Sequence, residues 1–241
     1  CVLNKDFFLL YKKFCPGPLT FVLKLKKNSK ISKIVTNNKK ILAVRFPKQE
    51  LFKKLIKNLD YPLAAPSANI SNKLSSVKAS DVKEEFGNKI KFVLDGGKCK
   101  VGIESTIISL VKKPEILRLG GLENSKIKKV LNKPIIININ PNKKNAPGQS
   151  KLHYSPGIPL RMNAKKLKKE EAFVVLKKKN IRNKDCFYLS KKGNLNEATK
   201  NLYSTLRKIK KKGYKSIAVE KIKSVGLGQS INDRLNRASK F

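Results

Sequence analysis

The amino-acid sequence predicts an α/β protein in which a larger N-terminal domain precedes a smaller α/β domain. From Leu19 onward, short β-rich runs alternate with stretches of helical length, a pattern typical of helices layered on a sheet. Six Pro and Gly residues interrupt this alternation between residues 140 and 159, and it then resumes. The 241 residues also exceed the roughly 150 of an average domain. We therefore predict domains at 1–139 and 160–241, joined by a linker at 140–159.

Hydrophobic periodicity and turn residues predict the individual elements. An amphipathic pattern predicts a helix over 5–14, which Pro16 ends. In the first domain, strands are predicted over 19–25, 41–45, 63–65, 92–95, 106–110, 116–118 and 135–139, and helices over 50–58, 80–86 and 126–131. In the second domain, strands are predicted over 172–176, 186–190 and 216–219, and helices over 195–212 and 230–239.

The net charge of +40 favours anionic ligands, and nucleic acid is the first partner that it suggests. However, only seven of the 56 basic residues are Arg, and Asn and Ile are frequent in the same regions. Lys, Asn and Ile rise together when codons are AT-rich, whereas phosphate recognition favours the forked guanidinium of Arg. We interpret most of the Lys excess as compositional drift, and weak tRNA binding stays an open alternative.

Cysteine and histidine usage excludes several chemistries. Cys1, Cys15, Cys99 and Cys186 have no CxxC spacing, and His153 is the sole histidine, so neither a zinc cluster nor a disulfide framework is predicted. A Ser-His-Asp or Cys-His mechanism would depend on His153 alone. No apolar run approaches the roughly 18 residues of a membrane span, and the first residues lack the regions of a signal peptide. We expect a cytoplasmic protein without a membrane segment.

Polar side chains at predicted strand ends are the candidate ligand-binding groups. Arg45 and Arg118 each end an apolar strand, and the carboxyl ends of strands in α/β sheets are where ligands bind. Ser67 and Asn69 follow a predicted strand and Pro66, while Ser105 precedes another strand. Each has a structural alternative, an ion pair for the arginines and a turn or cap for the small polar residues. Together they predict one cleft for an anionic ligand.

The linker contains the His153-Tyr154 pair, which a plain flexible linker would lack. We interpret it as a lid that folds over the first domain, with Tyr154 covering a ligand. The alternative is that both rings pack at an interface between the domains.

An ordered set of motifs spans nearly the whole chain. It comprises PGPLTFVLK (16–24), AVRFP (43–47), PLAAPSANIS (62–71), VLDGG (93–97), VGIESTII (101–108), ILRLGG (116–121), APGQSKLHYSP (146–156) and GLGQSINDRLNRAS (226–239). This set resembles the L-threonylcarbamoyladenylate synthase family in its two-domain form. The resemblance implies a YrdC-like twisted mixed sheet with flanking helices, followed by a smaller Rossmann-like α/β domain.

The resemblance also implies an activity. The family forms L-threonylcarbamoyl-adenylate and pyrophosphate from L-threonine, bicarbonate and ATP, for threonylcarbamoyladenosine modification of tRNA. It implies that Mg²⁺ accompanies ATP and that other proteins of the tRNA-modification pathway are partners. By resemblance, the threonine-binding residues are Arg45, Ser67 and Ser105, and the ATP-binding residues are Ile41, Asn69, Val77, Arg118 and Tyr154. It identifies neither a catalytic residue nor a metal ligand.

One departure from the family concerns the N-terminus. The family's Lys-x-Arg and Ser-x-Asn segment, which grips the triphosphate, has no counterpart before Cys1. Because the chain starts without Met and enters a helical pattern by Lys5, we expect it to begin inside a domain and to show little synthase activity by itself. Two other hypotheses stay open: a non-enzymatic basic RNA-binding module, and a carbamoyl-transfer domain like that of a hydrogenase-maturation protein.

Overall fold

The computed structural model describes residues 1–139, 146, 153–178 and 184–240. The chain forms two compact units, Cys1–Pro66 with Glu104–Ser150, and Ser67–Ile103 with Lys151–Phe241. The predicted domains do not coincide with these units, because residues 67–103 pack with the C-terminal part of the chain. Most of the predicted linker at 140–159 lies outside the described residues.

The helices and strands alternate along the chain. The helices are α1 (Lys5–Phe14), α2 (Lys33–Thr36), α3 (Glu50–Lys57), α4 (Ala79–Phe86), α5 (Asn124–Leu131), α6 (Leu195–Lys211) and α7 (Leu227–Ala238). The strands are β1 (Leu19–Lys24), β2 (Ile41–Arg45), β3 (Thr106–Ser109), β4 (Glu115–Arg118), β5 (Ile136–Ile137), β6 (Leu160–Arg161), β7 (Glu171–Lys177), β8 (Cys186–Ser190) and β9 (Ser216–Val219). Among the helices that the structure describes, none combines the length and apolar character that a membrane crossing requires.

The first unit contains a mixed sheet of five strands in the order β2-β1-β3-β4-β5. The pairs β1–β2 and β3–β4 are antiparallel, and the pairs β1–β3 and β4–β5 are parallel. One face is covered by α1 and α5, with side chains such as Leu10 and Ile127 packed against Phe21 and Ile108. The opposite face carries a smaller apolar cluster centred on Val22. This second face also bears the polar side chains of the candidate site.

Helix α1 begins where its sequence supplies a cap. The Asn4 side chain accepts a hydrogen bond from Phe7 N at 3.0 Å and donates one to Leu110 O at 3.3 Å. The cap therefore also attaches the helix to the end of β3. The helix ends at Phe14, two residues before Pro16, as the sequence predicts.

The second unit contains a parallel sheet of four strands in the order β6-β9-β7-β8. Alternating apolar residues of its strands pack against α6 and α7, with Leu202, Leu206 and Leu235 all buried. Residues 67–103 add Leu74, Val77 and Ile103 to the same core, which is why they belong to this unit. The second sheet has one more strand than the sequence predicts, the two-residue β6.

Two predicted strands are wrong. Residues 63–65 and 92–95 are described, and neither segment pairs with another strand there. Pro62 and Pro66 flank the first segment and supply no backbone N–H for a ladder. In the second segment the Phe92 side chain is 89% exposed. An apolar run becomes a strand only when a partner accepts its hydrogen bonds and its side chains are covered, and the described residues provide neither.

Candidate functional site

Ser105 is the centre of a polar cluster in the first unit. Its Oγ lies 2.7 Å from Thr20 Oγ1, and both residues are buried. Arg118 donates from Nε and from a terminal nitrogen to Ser105 O, at 3.1 and 2.9 Å, and the same terminal nitrogen donates to Ser105 Oγ at 3.1 Å. We call Thr20, Ser105 and Arg118 the Ser105 cluster. Its hydrogen bonds hold the guanidinium at the end of β4 beside two hydroxyls, one at the start of β1 and one just before β3.

Arg45 lies beside this cluster at the end of β2. It is the register partner of Thr20, and paired residues on neighbouring strands project to the same face of the sheet. Arg45 is exposed, whereas Arg118 is half-buried. Ile41, four residues earlier on the same strand, packs against the apolar cluster of Val22 on that face. The structure thus brings together the predicted site residues Arg45, Ser105 and Arg118 and adds Thr20, which the sequence analysis did not assign.

The loop after β4 holds Ser105 in place. Gly121 N donates to Glu104 O at 2.9 Å, while Thr106 Oγ1 donates to Leu122 O at 2.5 Å and accepts from Leu122 N at 3.1 Å. Between these bonds, a Cβ on Gly120 would come within 2.5 Å of the backbone of residues 104–106. Glycine is therefore required at position 120 by close packing of two backbones.

The loop that bears Asn69 belongs to the second unit. Asn69 Nδ2 donates to Ile70 O at 2.8 Å and to Lys73 O at 3.3 Å, which fixes the orientation of its amide. Its Oδ1 is buried and has no hydrogen-bond partner among the described residues. A buried acceptor without a donor is costly, so this oxygen suits a ligand that donates a hydrogen bond. Ser67, two residues earlier, is exposed.

Val77 is less accessible than the sequence prediction implied. Its side chain is buried in the core of the second unit. Its backbone N donates to Asp81 Oδ2 at 2.9 Å, and its backbone O accepts from Cys99 N at 2.8 Å. Both backbone groups of Val77 are thus already hydrogen bonded within the unit, and the predicted contact with a nucleotide stays a prediction.

Tyr154 lies in the core of the second unit, and its ring is only 1% exposed. The ring stacks on Tyr203 with centroids 5.8 Å apart, and the guanidinium carbon of Arg234 lies 5.0 Å from its centroid. The centroid of the His153 ring lies 4.0 Å from that of Tyr154. A lid residue would present its ring to a ligand, so this burial differs from the predicted lid. Residues 147–152 of the linker motif lie outside the described residues.

The ionisable groups of the described residues do not form a metal centre. Within the described ranges, no group of three His, Cys, Asp or Glu side chains could hold a metal ion. Burial raises the pKa of the Cys15 thiol to about 11, which leaves it protonated and unreactive at neutral pH. In the second unit, Arg161 donates to both carboxylate oxygens of the buried Glu171, at 2.8 and 2.6 Å, and these bonds lower the pKa of that carboxyl.

Comparison with known protein families shows to which family the chain belongs. Residues 2–120 match the Sua5/YciO/YrdC family model, which is described as "Telomere recombination". Residues 122–240 match a model described as the C-terminal domain of threonylcarbamoyl-AMP synthase. The chain belongs to the threonylcarbamoyl-AMP synthase family. This finding confirms the resemblance drawn from the ordered motifs.

Relatives within this family match nearly the whole chain. The threonylcarbamoyl-AMP synthase of Pyrococcus abyssi is 34% identical over 253 residues, which cover 97% of this chain and 73% of that protein. The enzyme of Schizosaccharomyces pombe is 31% identical over 277 residues, with coverage of 99% and 67%.

Two solved structures share the fold. The crystal structure of P. abyssi Sua5 complexed with L-threonine superposes with a TM-score of 0.87 at 31% identity, covering 100% of this chain and 75% of that one. A variant of the same protein, in which adjacent His and Tyr residues are replaced by alanine, gives a TM-score of 0.84 at 30% identity, with coverage of 100% and 74%. The predicted α/β fold class is therefore confirmed for this family member.

The predicted site residues divide between the two units. Arg45, Ile41, Ser105 and Arg118 lie in the first unit, whereas Ser67, Asn69, Val77 and Tyr154 lie in the second. Neither their binding roles nor the hypothesis of a single cleft is tested by these findings, and both stay predictions.

Proposed function

We propose that the protein condenses L-threonine, bicarbonate and ATP to L-threonylcarbamoyl-adenylate and pyrophosphate. The observation that carries the proposal is the Ser105 cluster, in which a buried hydroxyl and a held guanidinium share one sheet face with Arg45. A relative of the same fold has been crystallised with L-threonine, which supports an amino-acid site in this chain.

The threonine site requires a cation for the carboxylate and polar groups for the hydroxyl. Arg45 is suited to the carboxylate, because its guanidinium lies on an exposed strand end and can donate two parallel hydrogen bonds. The Ser105 hydroxyl supplies a donor or acceptor close to it, and Thr20 restricts the orientation of that hydroxyl. Ser67 is the third candidate for a threonine contact. No group among them needs to act as a nucleophile.

The reaction depends on positioning and charge. Threonine and bicarbonate condense to an N-carboxylate with loss of water, and an oxygen of this carbamate then attacks the α-phosphorus of ATP. The bond from that phosphorus to the bridging oxygen breaks, and pyrophosphate leaves with the electron pair. A guanidinium near the phosphates stabilises the charge that develops, and fixed reactants lower the entropic cost. Arg118 supplies that guanidinium, and Asn69, Tyr154, Ile41 and Val77 are the remaining candidates for ATP contacts.

Mg²⁺ is proposed as the companion of ATP. The described residues offer no acidic cluster for a resident ion, whereas Mg²⁺ readily takes phosphate oxygens and water as ligands. The substrate triphosphate would therefore hold the ion, where it supplies charge neutralisation. We further propose a cytoplasmic location and partners among the proteins that transfer the threonylcarbamoyl group to tRNA.

The decisive experiment measures pyrophosphate release from ATP by the protein expressed together with any residues encoded upstream of Cys1. Release that requires both L-threonine and bicarbonate, and that falls at least tenfold in Arg118→Met, would support the proposal. Lys113→Met, on the exposed turn before β4, is the matched control and should leave release unchanged. Dependence on carbamoyl phosphate instead would favour the carbamoyl-transfer hypothesis. RNA affinity that falls steeply with salt, without any pyrophosphate release, would favour the RNA-binding module that the +40 charge suggests.

A further inference from the structure

The Asn69 loop, residues 67–77, is held by acidic side chains of α4. Glu85 Oε1 accepts a hydrogen bond from Ile70 N at 2.7 Å, and Asp81 Oδ2 accepts one from Val77 N at 2.9 Å. The two acids are one helical turn apart and so lie on the same face of α4. Both ends of the loop are thereby attached to one rigid element.

Glu85 is in turn held by Arg207 of α6. A terminal nitrogen of Arg207 donates to Glu85 Oε2 at 3.0 Å and to Leu74 O at 2.6 Å. The Glu85 side chain is 5% exposed and that of Arg207 is 17% exposed, so little solvent screens this pair. One carboxylate thus connects a guanidinium on α6 to the backbone amide that follows Asn69.

A second pair on the same two helices does not reach the loop. Lys211 Nζ lies 2.5 Å from Glu84 Oε2, but the Lys211 and Glu84 side chains are 57% and 50% exposed. Exposed pairs of this kind contribute little to stability. The two helices thus carry one buried ion pair that reaches the loop, Arg207 with Glu85, and one exposed pair that does not, Lys211 with Glu84.

We propose that Arg207 is a positioning residue, which acts through Glu85 to place Asn69 for ATP. The role of Asn69 rests on the proposed function. The Asn69 amide donates to Ile70 O and Lys73 O, so displacement of Ile70 would move the buried Oδ1, which has no hydrogen-bond partner among the described residues. Helix α6 of the second unit thus contributes to nucleotide affinity without contacting substrate.

The first arm of the test measures hydrogen exchange of residues 67–77 in the full chain. Arg207→Gln should accelerate exchange at Ile70 about tenfold, because Glu85 loses its charged partner and the loop loses an attachment. Arg207→Lys keeps the charge and should restore part of the protection. Lys211→Gln, the matched control, should leave exchange unchanged.

The second arm measures pyrophosphate release at varied ATP. In Arg207→Gln the KM for ATP should rise about tenfold with a smaller change in kcat, and Arg207→Lys should recover part of that affinity. A purely structural role would lower the folded fraction, and so the apparent kcat, without changing the KM. If Arg207→Gln does not fold, Glu85→Gln takes its place, because its amide oxygen can still accept from Ile70 N while the ion pair is lost.

The outcomes separate this inference from the proposed function. An unchanged exchange rate at Ile70 overturns the inference, and so does faster exchange with an unchanged KM for ATP. If the unsubstituted protein, expressed with any residues encoded upstream of Cys1, releases no pyrophosphate, the proposed function fails. An Ile70 exchange rate that changes in Arg207→Gln but not in Lys211→Gln still supports the attachment of the loop.

Discussion

Replacing Gly120 by alanine should weaken threonine binding, although Gly120 is not one of the predicted binding residues. Its backbone lies outside the left-handed region, so alanine introduces no conformational strain there. The added Cβ would come within 2.5 Å of the backbone of residues 104–106, whereas ordinary contacts begin near 3.4 Å. The two segments must therefore separate by about 1 Å, since close-packed interiors leave no alternative space.

The energetic cost follows from the hydrogen bonds that this separation breaks. The bond from Gly121 N to Glu104 O spans 2.9 Å, and the Thr106 hydroxyl exchanges two bonds with Leu122 at 2.5 and 3.1 Å. At about 1 kcal/mol for each bond, the free energy of unfolding should fall by about 2–4 kcal/mol. Because Ser105 lies in the displaced segment, affinity for L-threonine should fall at least about tenfold.

Urea denaturation and calorimetric titration with L-threonine measure the two effects. The matched control is Gly97→Ala, which has nothing within 4 Å of its Cβ but a φ of +76°. It should cost only the strain of the left-handed backbone, about 1 kcal/mol, and leave threonine affinity intact. If Gly120→Ala unfolds at the same urea concentration as the unsubstituted chain and binds threonine equally well, the packing of this loop does not hold Ser105.

Three further substitutions test other parts of the structure. Thr20→Val removes the hydroxyl beside Ser105, and titration should show threonine affinity lowered about fivefold while the melting temperature changes little. Tyr154→Ala should lower the free energy of unfolding by about 3 kcal/mol in urea denaturation, because the ring fills the core. A loss of ATP affinity at unchanged stability would instead support the lid interpretation. The carboxyl of Glu171 has a folded-state pKa below its ordinary 4.5, so its stabilisation is complete above that pH and disappears as pH falls through the folded value. Glu171→Gln should therefore cost about 1–3 kcal/mol at pH 7 and progressively less as the pH falls through the folded pKa, as urea denaturation at a series of pH values would show. A cost that does not change with pH would contradict the ion pair with Arg161.

Local patterns predicted most helices and strands correctly. Helix α1, strand β2 and strand β8 have the predicted bounds, and α3 and α6 end one residue earlier than expected. Their signals are local, since amphipathic spacing, caps and proline positions lie within each segment. The strands predicted at 63–65 and 92–95 had comparable apolar runs. They fail because a strand also needs a neighbour, and a neighbour is not a local property.

The candidate site was predicted only in part for the same reason. Strand-end positions identified Arg45, Ser105 and Arg118, since the end of an apolar run can be located in the sequence. Thr20 lies 85 residues from Ser105, so no spacing rule pairs the two hydroxyls. Glu85, the partner of Arg207, lies 122 residues away in the sequence, so this pair could not be predicted from spacing either.

The amino-acid sequence by itself determined the α/β class, most element bounds and, through its ordered motifs, the family. The tertiary structure alone decided which acceptor each polar group meets, that Tyr154 is buried against Tyr203, and that Glu85 joins Arg207 to the Asn69 loop. Periodicity and caps act over a few residues and can be recognised along the chain. Burial and hydrogen-bond pairing depend on which distant segments meet, and only the folded chain brings those segments together.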